Sequence, residues 1–239
     1  MVDILKNIID KFELGYVFTG NSFDIVVKNP VEVSRILNRF VKDGYLCKLS
    51  KGRYYKPKVG LLGKLNPDSY QTIKDLLVEN GKPVGYVTGY SIFNQLNLTT
   101  QVSAILQIGT RKDKKPIKRG VYRIMFVKQW NTITKGDIPL LQMLDCLRFF
   151  KIIPDAMPDD ICRRLMGLLS QLTETQRNKI QKLALKYSPQ TMALLGAMLE
   201  TLNQNEDTAL LFKKLNPITS YKLYISPKVL PTQKKWHIK

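Results

Sequence analysis

The sequence predicts a mainly helical α+β chain, built as a small N-terminal helix-and-hairpin domain, a small α/β middle domain and a C-terminal helical array. Three observations carry this. Between Asn29 and Tyr55 an apolar stripe of helical period gives way, across a glycine, to a short basic ribbon. Between 84 and 127, strand-like apolar runs, the last alternating with a period of two, flank one short helical stretch. From Ile138 to Leu215, apolar residues recur at helical spacing in successive segments, with helix-starting residues between them.

Taken in order, Ile4, Leu5, Ile8, Ile9 and Phe12 share one stripe and predict a first helix over 2–13, which Gly15 ends. Residues 16–18 are expected to form a short strand and 21–26 a brief helix. Asn29 suits an N-cap, and Pro30 suits the first helical position because its missing N–H would be unpaired there anyway. Val33, Ile36, Leu37, Phe40 and Val41 then make a buried stripe, leaving Ser34, Arg35, Asn38, Arg39 and Lys42 outward. Gly44 ends this helix and Ser50-Lys-Gly52 supplies a hairpin turn.

A helix with an arginine-bearing face, followed at once by a basic hairpin, is the construction of a winged helix-turn-helix. The helix enters the major groove while the hairpin reaches phosphates or the minor groove. The alternative is a solvated helix packed on a small sheet. On the first reading Arg35, Asn38 and Arg39 are candidates for base edges, since arginine forks onto guanine and asparagine onto adenine. Ser34 and Lys42 would position the helix on phosphates, and Lys48, Lys51, Arg53 and Lys56 would hold the wing to the backbone. One of Tyr54 and Tyr55 is expected in the core and the other is available to stack on bases or sugars. The domain is expected over 1–58.

A middle domain is expected over 59–135. Residues 59–67 read as a partly buried linker, followed by a helix over 68–80 ended by Gly81. A strand at 84–89, a helix at 90–96 and strands at 103–109 and 121–127 complete it. The loop Thr110–Gly120 carries Arg111, Lys112, Lys114, Lys115, Lys118 and Arg119 against one acid. It is either a solvated loop kept soluble by charge or a second basic surface, for phosphates or RNA. A helical domain follows over 136–215. Leu140, Leu141, Leu144, Leu147 and Phe150 form its first stripe, and a helix to about Leu172 follows. Thr173-Glu-Thr-Gln176 is a capping box for a third helix running to Tyr187. Ser188-Pro189 opens a fourth, through Leu202, and 206–215 a short fifth. Residues 216–239 read as a basic tail with a possible strand at 221–225.

The chain of 239 residues has 38 Lys and Arg against 19 Asp and Glu, a formal net charge of +19. That excess points to a polyanionic partner such as nucleic acid. Residues 1–60 hold 11 basic and 6 acidic residues, and 28–58 hold 9 basic residues against Glu32 and Asp43 alone. No run is long and apolar enough for a membrane span, and the N-terminus is expected to be an amphipathic helix, not a signal peptide. Cys47, Cys146 and Cys162 are odd in number and widely spaced, as expected for reduced, mostly buried thiols in a cytosolic protein. His237 is the sole histidine, so histidine-centred triads and most zinc sites are out of contention. No phosphate-binding glycine motif is present, and no catalytic residue, metal or cofactor is expected.

The run from Leu37 to Pro57, LNRFVKDGYLCKLSKGRYYKP, resembles the winged domain of AbiEi-type antitoxins and their transcriptional-regulator relatives. The block Tyr86–Val102, YVTGYSIFNQLNLTTQV, looks like the start of the second domain in that group, and Ser226–Lys239 is similar to its tails. The resemblance implies a bacterial toxin–antitoxin operon. Its antitoxin binds inverted repeats in its own promoter and counters a nucleotidyltransferase-like toxin, without need of a stable complex. The helical stretch 137–215 is where the countering function would lie.

Two function classes therefore stand at this point. One is a cytoplasmic, double-stranded-DNA-binding repressor and antitoxin. The other is an RNA- or toxin-binding adaptor that uses the winged fold as a protein interface.

Overall fold

In the computed structural model, which describes residues 1–24, 26–27 and 29–239, the chain is α+β and divides into two units. The first comprises Met1–Leu76 and Pro116–Ile124, the second Leu77–Lys115 and Met125–Lys239. Of the segments expected from sequence, 1–58 lies within the first unit and 136–215 and 216–239 within the second. Residues 59–135 are shared between them.

In the first unit, α1 (Val2–Asp10) leads to β1 (Val17–Thr19), a 3₁₀ turn (Gly20–Phe23) and α2 (Pro30–Lys42). The expected brief helix at 21–26 is this earlier, tighter turn; Ile25, within that range, lies outside the described residues, as does Lys28 of the basic run. α2 begins as its sequence dictates: Asn29 Oδ1 accepts from the N–H groups of Val31 and Glu32, each at 3.2 Å. It ends before Gly44, whose φ of 75° only glycine adopts without strain. β2 (Cys47–Ser50) and β3 (Arg53–Tyr55) form the hairpin, and β1 pairs antiparallel with β3 to give the order β1-β3-β2.

Val33, Ile36, Leu37 and Phe40 of α2 pack with Leu5 and Ile9 of α1, Phe18, Phe23, Leu46 and Tyr54. Tyr55, one residue on and so on the opposite face of the sheet, is buried with Val17 and Leu49. Both tyrosines are therefore core, at 3% and 5% exposure, where the sequence suggested that one would be free. The reason is tertiary: the sheet is covered on both faces.

The expected linker 59–67 is instead a small hairpin, β4 (Val59–Gly60) with β5 (Gly63–Lys64), and α3 (Ser69–Leu77) follows. The unit is completed by β10 (Ile117–Arg119), which turns through Gly120 (φ 55°) to pair with Tyr122–Ile124. Residues 117–119, read from sequence as loop, are thus strand.

The second unit opens with a hairpin of β6 (Val78–Glu79) and β7 (Lys82–Pro83). Its turn is Asn80-Gly81, both at positive φ, as a two-residue type I′ turn requires. Gly81 therefore turns a hairpin and does not end a helix. β8 (Gly85–Thr88), α4 (Tyr90–Gln95) and β9 (Ile105–Thr110) follow, and β11 (Tyr122–Lys128), of which residues from Met125 on belong to this unit, lies with β9 between it and β8. The helices are α5 (Ile138–Arg148), α6 (Pro158–Ser170), α7 (Glu174–Ala184), α8 (Pro189–Leu202) and the single-turn α9 (Ala209–Phe212), shorter than the expected 206–215. The Thr173–Gln176 capping box is present in both directions.

α8 is buried without a break from Thr191 to Glu200 and is the hub on which α5, α6, α7 and α9 pack. A helix apolar all round must lie in a core.

The segment read as a basic tail joins this core. Leu223, Leu230, Trp236 and Ile238 are buried, and Tyr221 bridges to Ile238, with no strand at 221–225. Trp236 lies over Gly196 of α8, where any Cβ would fall 2.1 Å from its ring, and its indole N–H donates to Glu200 at 3.0 Å. His237 stacks on Phe212. Cys146 and Cys162 are buried, Cys47 half-buried, and none is in a disulfide. No described helix is long and apolar enough to cross a membrane.

Candidate nucleic-acid interface

The outward side of α2 follows directly from its stripe: once Val33, Ile36, Leu37 and Phe40 are inward, the 3.6-residue period leaves Ser34, Arg35, Arg39 and Lys42 exposed together. Arg35 is 77% exposed in its side chain and folded back on Glu32, Nε at 3.1 Å and Nη2 at 2.8 Å. Arg39, 73% exposed, is loosely paired with Asp43 at 3.8 Å. The Arg35 bond holds the Glu32 carboxyl below its ordinary value. Exposed pairs of this kind are screened by water and contribute little, so either arginine can exchange its carboxylate for a phosphate or a base edge at little cost. Lys42 and Lys51, the latter at the hairpin turn, are exposed and in no ion pair among the described residues.

Asn38 does a different job from the one expected. It is half-buried, its Nδ2 donates to the Ser34 carbonyl at 2.8 Å, and its Oδ1 accepts from Lys48 Nζ and the Tyr54 hydroxyl, each at 3.3 Å. It ties the helix to the hairpin, and its amide is not free to read a base. Lys48 is thereby held beside α2, near the Tyr54 ring.

Arg53 and Lys56, expected on the DNA backbone, are instead held by carboxylates of this chain. Arg53 Nη2 donates to Asp75 of α3 at 2.6 Å, and Lys56 Nζ to Asp10 of α1 at 2.5 Å. Asp10 also accepts from the Tyr45 hydroxyl at 2.7 Å, and these two bonds, Lys56 first, hold its carboxyl low. Arg53, at the turn end of β3, and Lys56, just beyond its other end, fasten the hairpin to neighbouring helices. The free positive charge of the hairpin is thus reduced to Lys48 and Lys51.

The second basic segment divides as well. Arg111, Lys112, Lys114 and Lys115 are exposed in the second unit, with Lys112 pairing Glu79 at 3.3 Å and Lys114 over Phe126. Lys118 is exposed in the first unit. Arg119 is only 4% exposed, its guanidinium donating to the Thr72 carbonyl and to both oxygens of Asp75. It is a structural cation and not a surface contact. β-pairing aims alternate residues inward, which loop reasoning could not anticipate.

Sequence reasoning passed over Lys64, whose Nζ donates to the Gly44 carbonyl at 2.7 Å and so satisfies a group at the end of α2. Nothing in the linker reading of 59–67 pointed to it. Among the described residues no group of three or more His, Cys, Asp or Glu is placed to hold a metal.

No curated protein matches the chain. Among solved structures it is similar to the RV2827C protein from Mycobacterium tuberculosis, with a TM-score of 0.60 at 11% identity, covering 92% of this chain and 83% of that one. At that identity the likeness concerns the fold. Residues 4–176 match the model described as "Family of unknown function (DUF6088)", and the chain belongs to that family.

Proposed function

We propose that the protein is a sequence-specific, double-stranded-DNA-binding repressor of the winged helix-turn-helix type, acting as the antitoxin of a toxin–antitoxin operon. The observation that carries the DNA-binding part is the exposed Ser34, Arg35, Arg39 and Lys42 face of α2, with Lys48 beside it and Lys51 on the adjoining turn. In this reading α2 is the recognition helix and β2–β3 the wing. Arg35 and Arg39 address base edges, while Ser34, Lys42, Lys48 and Lys51 contact phosphates. The antitoxin part rests on the resemblance of residues 37–57 and 86–102 to AbiEi-type regulators, and the functional partner is a nucleotidyltransferase-like toxin.

The test is a promoter-binding titration at several salt concentrations. Arg39→Ala should cost about 1–3 kcal/mol and relax specificity at one base position. Lys51→Ala should weaken all sequences alike and lower the salt slope by about one. Unchanged curves for both variants rule out this face. Binding that RNase-sensitive material competes away, and promoter DNA does not, would favour the adaptor reading.

A further inference from the structure

A cavity of about 340 Å³ opens in the second unit, and no residue assigned above to DNA lines it. Its wall is made by Lys128, Gln129 and Trp130 at the end of β11, Arg148 at the end of α5, and Lys186 and Tyr187 before α8. Its size falls within the range of about 300–1,000 Å³ typical of small-molecule sites.

Three cations and no carboxylate line it. Lys128 is paired with Asp113 at 2.8 Å, but neither Arg148 nor Lys186 is in an ion pair among the described residues. Arg148 is fixed by one bond from Nη1 to the Lys128 carbonyl at 3.0 Å, which leaves the rest of its fork for a ligand. Trp130 is 62% exposed, with Lys128 Nζ 4.9 Å from the ring centroid.

The floor is rigid. Gln129 Nε2 donates to the hydroxyls of Tyr86 and Tyr187 at 2.7 Å each, and Tyr187 donates to the buried Asp145 at 3.0 Å. A hydrogen-bonded floor, an exposed aromatic ring with one face near Lys128, and two cations in no ion pair among the described residues together suit a ligand with one flat face and one anionic end.

We propose that this cavity binds a nucleoside monophosphate group, with the phosphate between Arg148 and Lys186 and the base against Trp130. The group is either a free nucleotide or the phosphorylated end of a single strand. The site shares no residue with the proposed DNA-reading face, and its success or failure is read independently of that face.

Trp130 also reports on it. Trp236 is fully buried, so stacking in the cavity quenches the exposed tryptophan alone. The full chain is titrated with adenosine monophosphate, adenosine, and a short 5′-phosphorylated single-stranded oligonucleotide, following fluorescence. Saturable quenching by the monophosphate is expected, weakened about tenfold for adenosine and about tenfold in Lys186→Gln, an exposed position whose change leaves the fold intact. Arg148→Gln, checked for an unaltered thermal transition, should weaken it further. Quenching by the oligonucleotide alone supports the site with a strand end as its source. The proposal is overturned if neither phosphorylated probe saturates, if adenosine binds as tightly as its monophosphate, or if Lys186→Gln leaves the curves unchanged.

Discussion

Arg119 holds Asp75 with both arms of its guanidinium, Nη1 to Oδ1 at 2.5 Å and Nη2 to Oδ2 at 3.0 Å, while Arg53 reaches the same Oδ2 at 2.6 Å. One carboxylate thus joins the hairpin strand β3, helix α3 and strand β10 within the first unit. It also withdraws two arginines from the surface charge that the sequence offers to a polyanion.

Asp75→Asn should destabilise the first unit by about 2 kcal/mol, because Arg119 is left buried without its counter-charge. Burial raises the Asp75 carboxyl, but the bonds from Arg119 and Arg53 outweigh that and hold it below its ordinary value of 3.8. The stabilisation is therefore present above that value and lost as pH falls through the lower, folded-state pKa. Urea midpoints of wild type and variant should differ at neutral pH and converge in acid; equal midpoints at neutral pH would remove Asp75 from its structural role.

Asp145 should behave in the opposite sense. It is fully buried and accepts from Tyr86, Thr88 and Tyr187, yet burial dominates and raises its pKa. The folded state therefore holds the proton more tightly than the unfolded one. Stability is fully present below the ordinary 3.8 and declines as pH rises through the raised value. Asp145→Asn should flatten the dependence of melting temperature on pH above 3.8. An unaltered profile in the variant would show that this carboxyl does not govern it.

Gly196→Ala should cost about 1–3 kcal/mol, since the added methyl meets the Trp236 ring and the tryptophan or α8 must shift. A lower thermal midpoint with red-shifted emission from Trp236 is the expected pair of readings. A wild-type midpoint would mean that the C-terminal segment is not docked on α8.

Asn38→Ala separates bracing from base reading. With its bonds to Lys48 and Tyr54 lost, stability should fall by about 1 kcal/mol and, on the proposed DNA-binding reading, affinity should fall for all DNA sequences alike. A change of preference at one base pair, with stability intact, would instead make Asn38 a reader.

Local signals were legible wherever the physics is local. The Asn29 cap, the stripe of α2, the Thr173–Gln176 box and the Ser188-Pro189 start of α8 all depend on neighbours within one or two turns. The hairpins at 59–64 and 78–83 were missed because their strands are two residues long, too short to display a period. What was legible of the candidate site was exposure: Ser34, Arg35, Arg39, Lys42 and Lys51 lie outward, while Asn38, Arg53, Lys56 and Arg119 are engaged within the protein.

The sequence by itself determined the charge excess, the helical stripes and the position of the basic helix and ribbon, because composition and period are properties of the chain. Only the tertiary structure decided which cations meet solvent. An arginine becomes a brace or a contact according to whether a carboxylate far along the chain is brought within hydrogen-bond reach. Asp75, 22 residues from Arg53 and 44 from Arg119, is that carboxylate, and no local pattern marks the pairing.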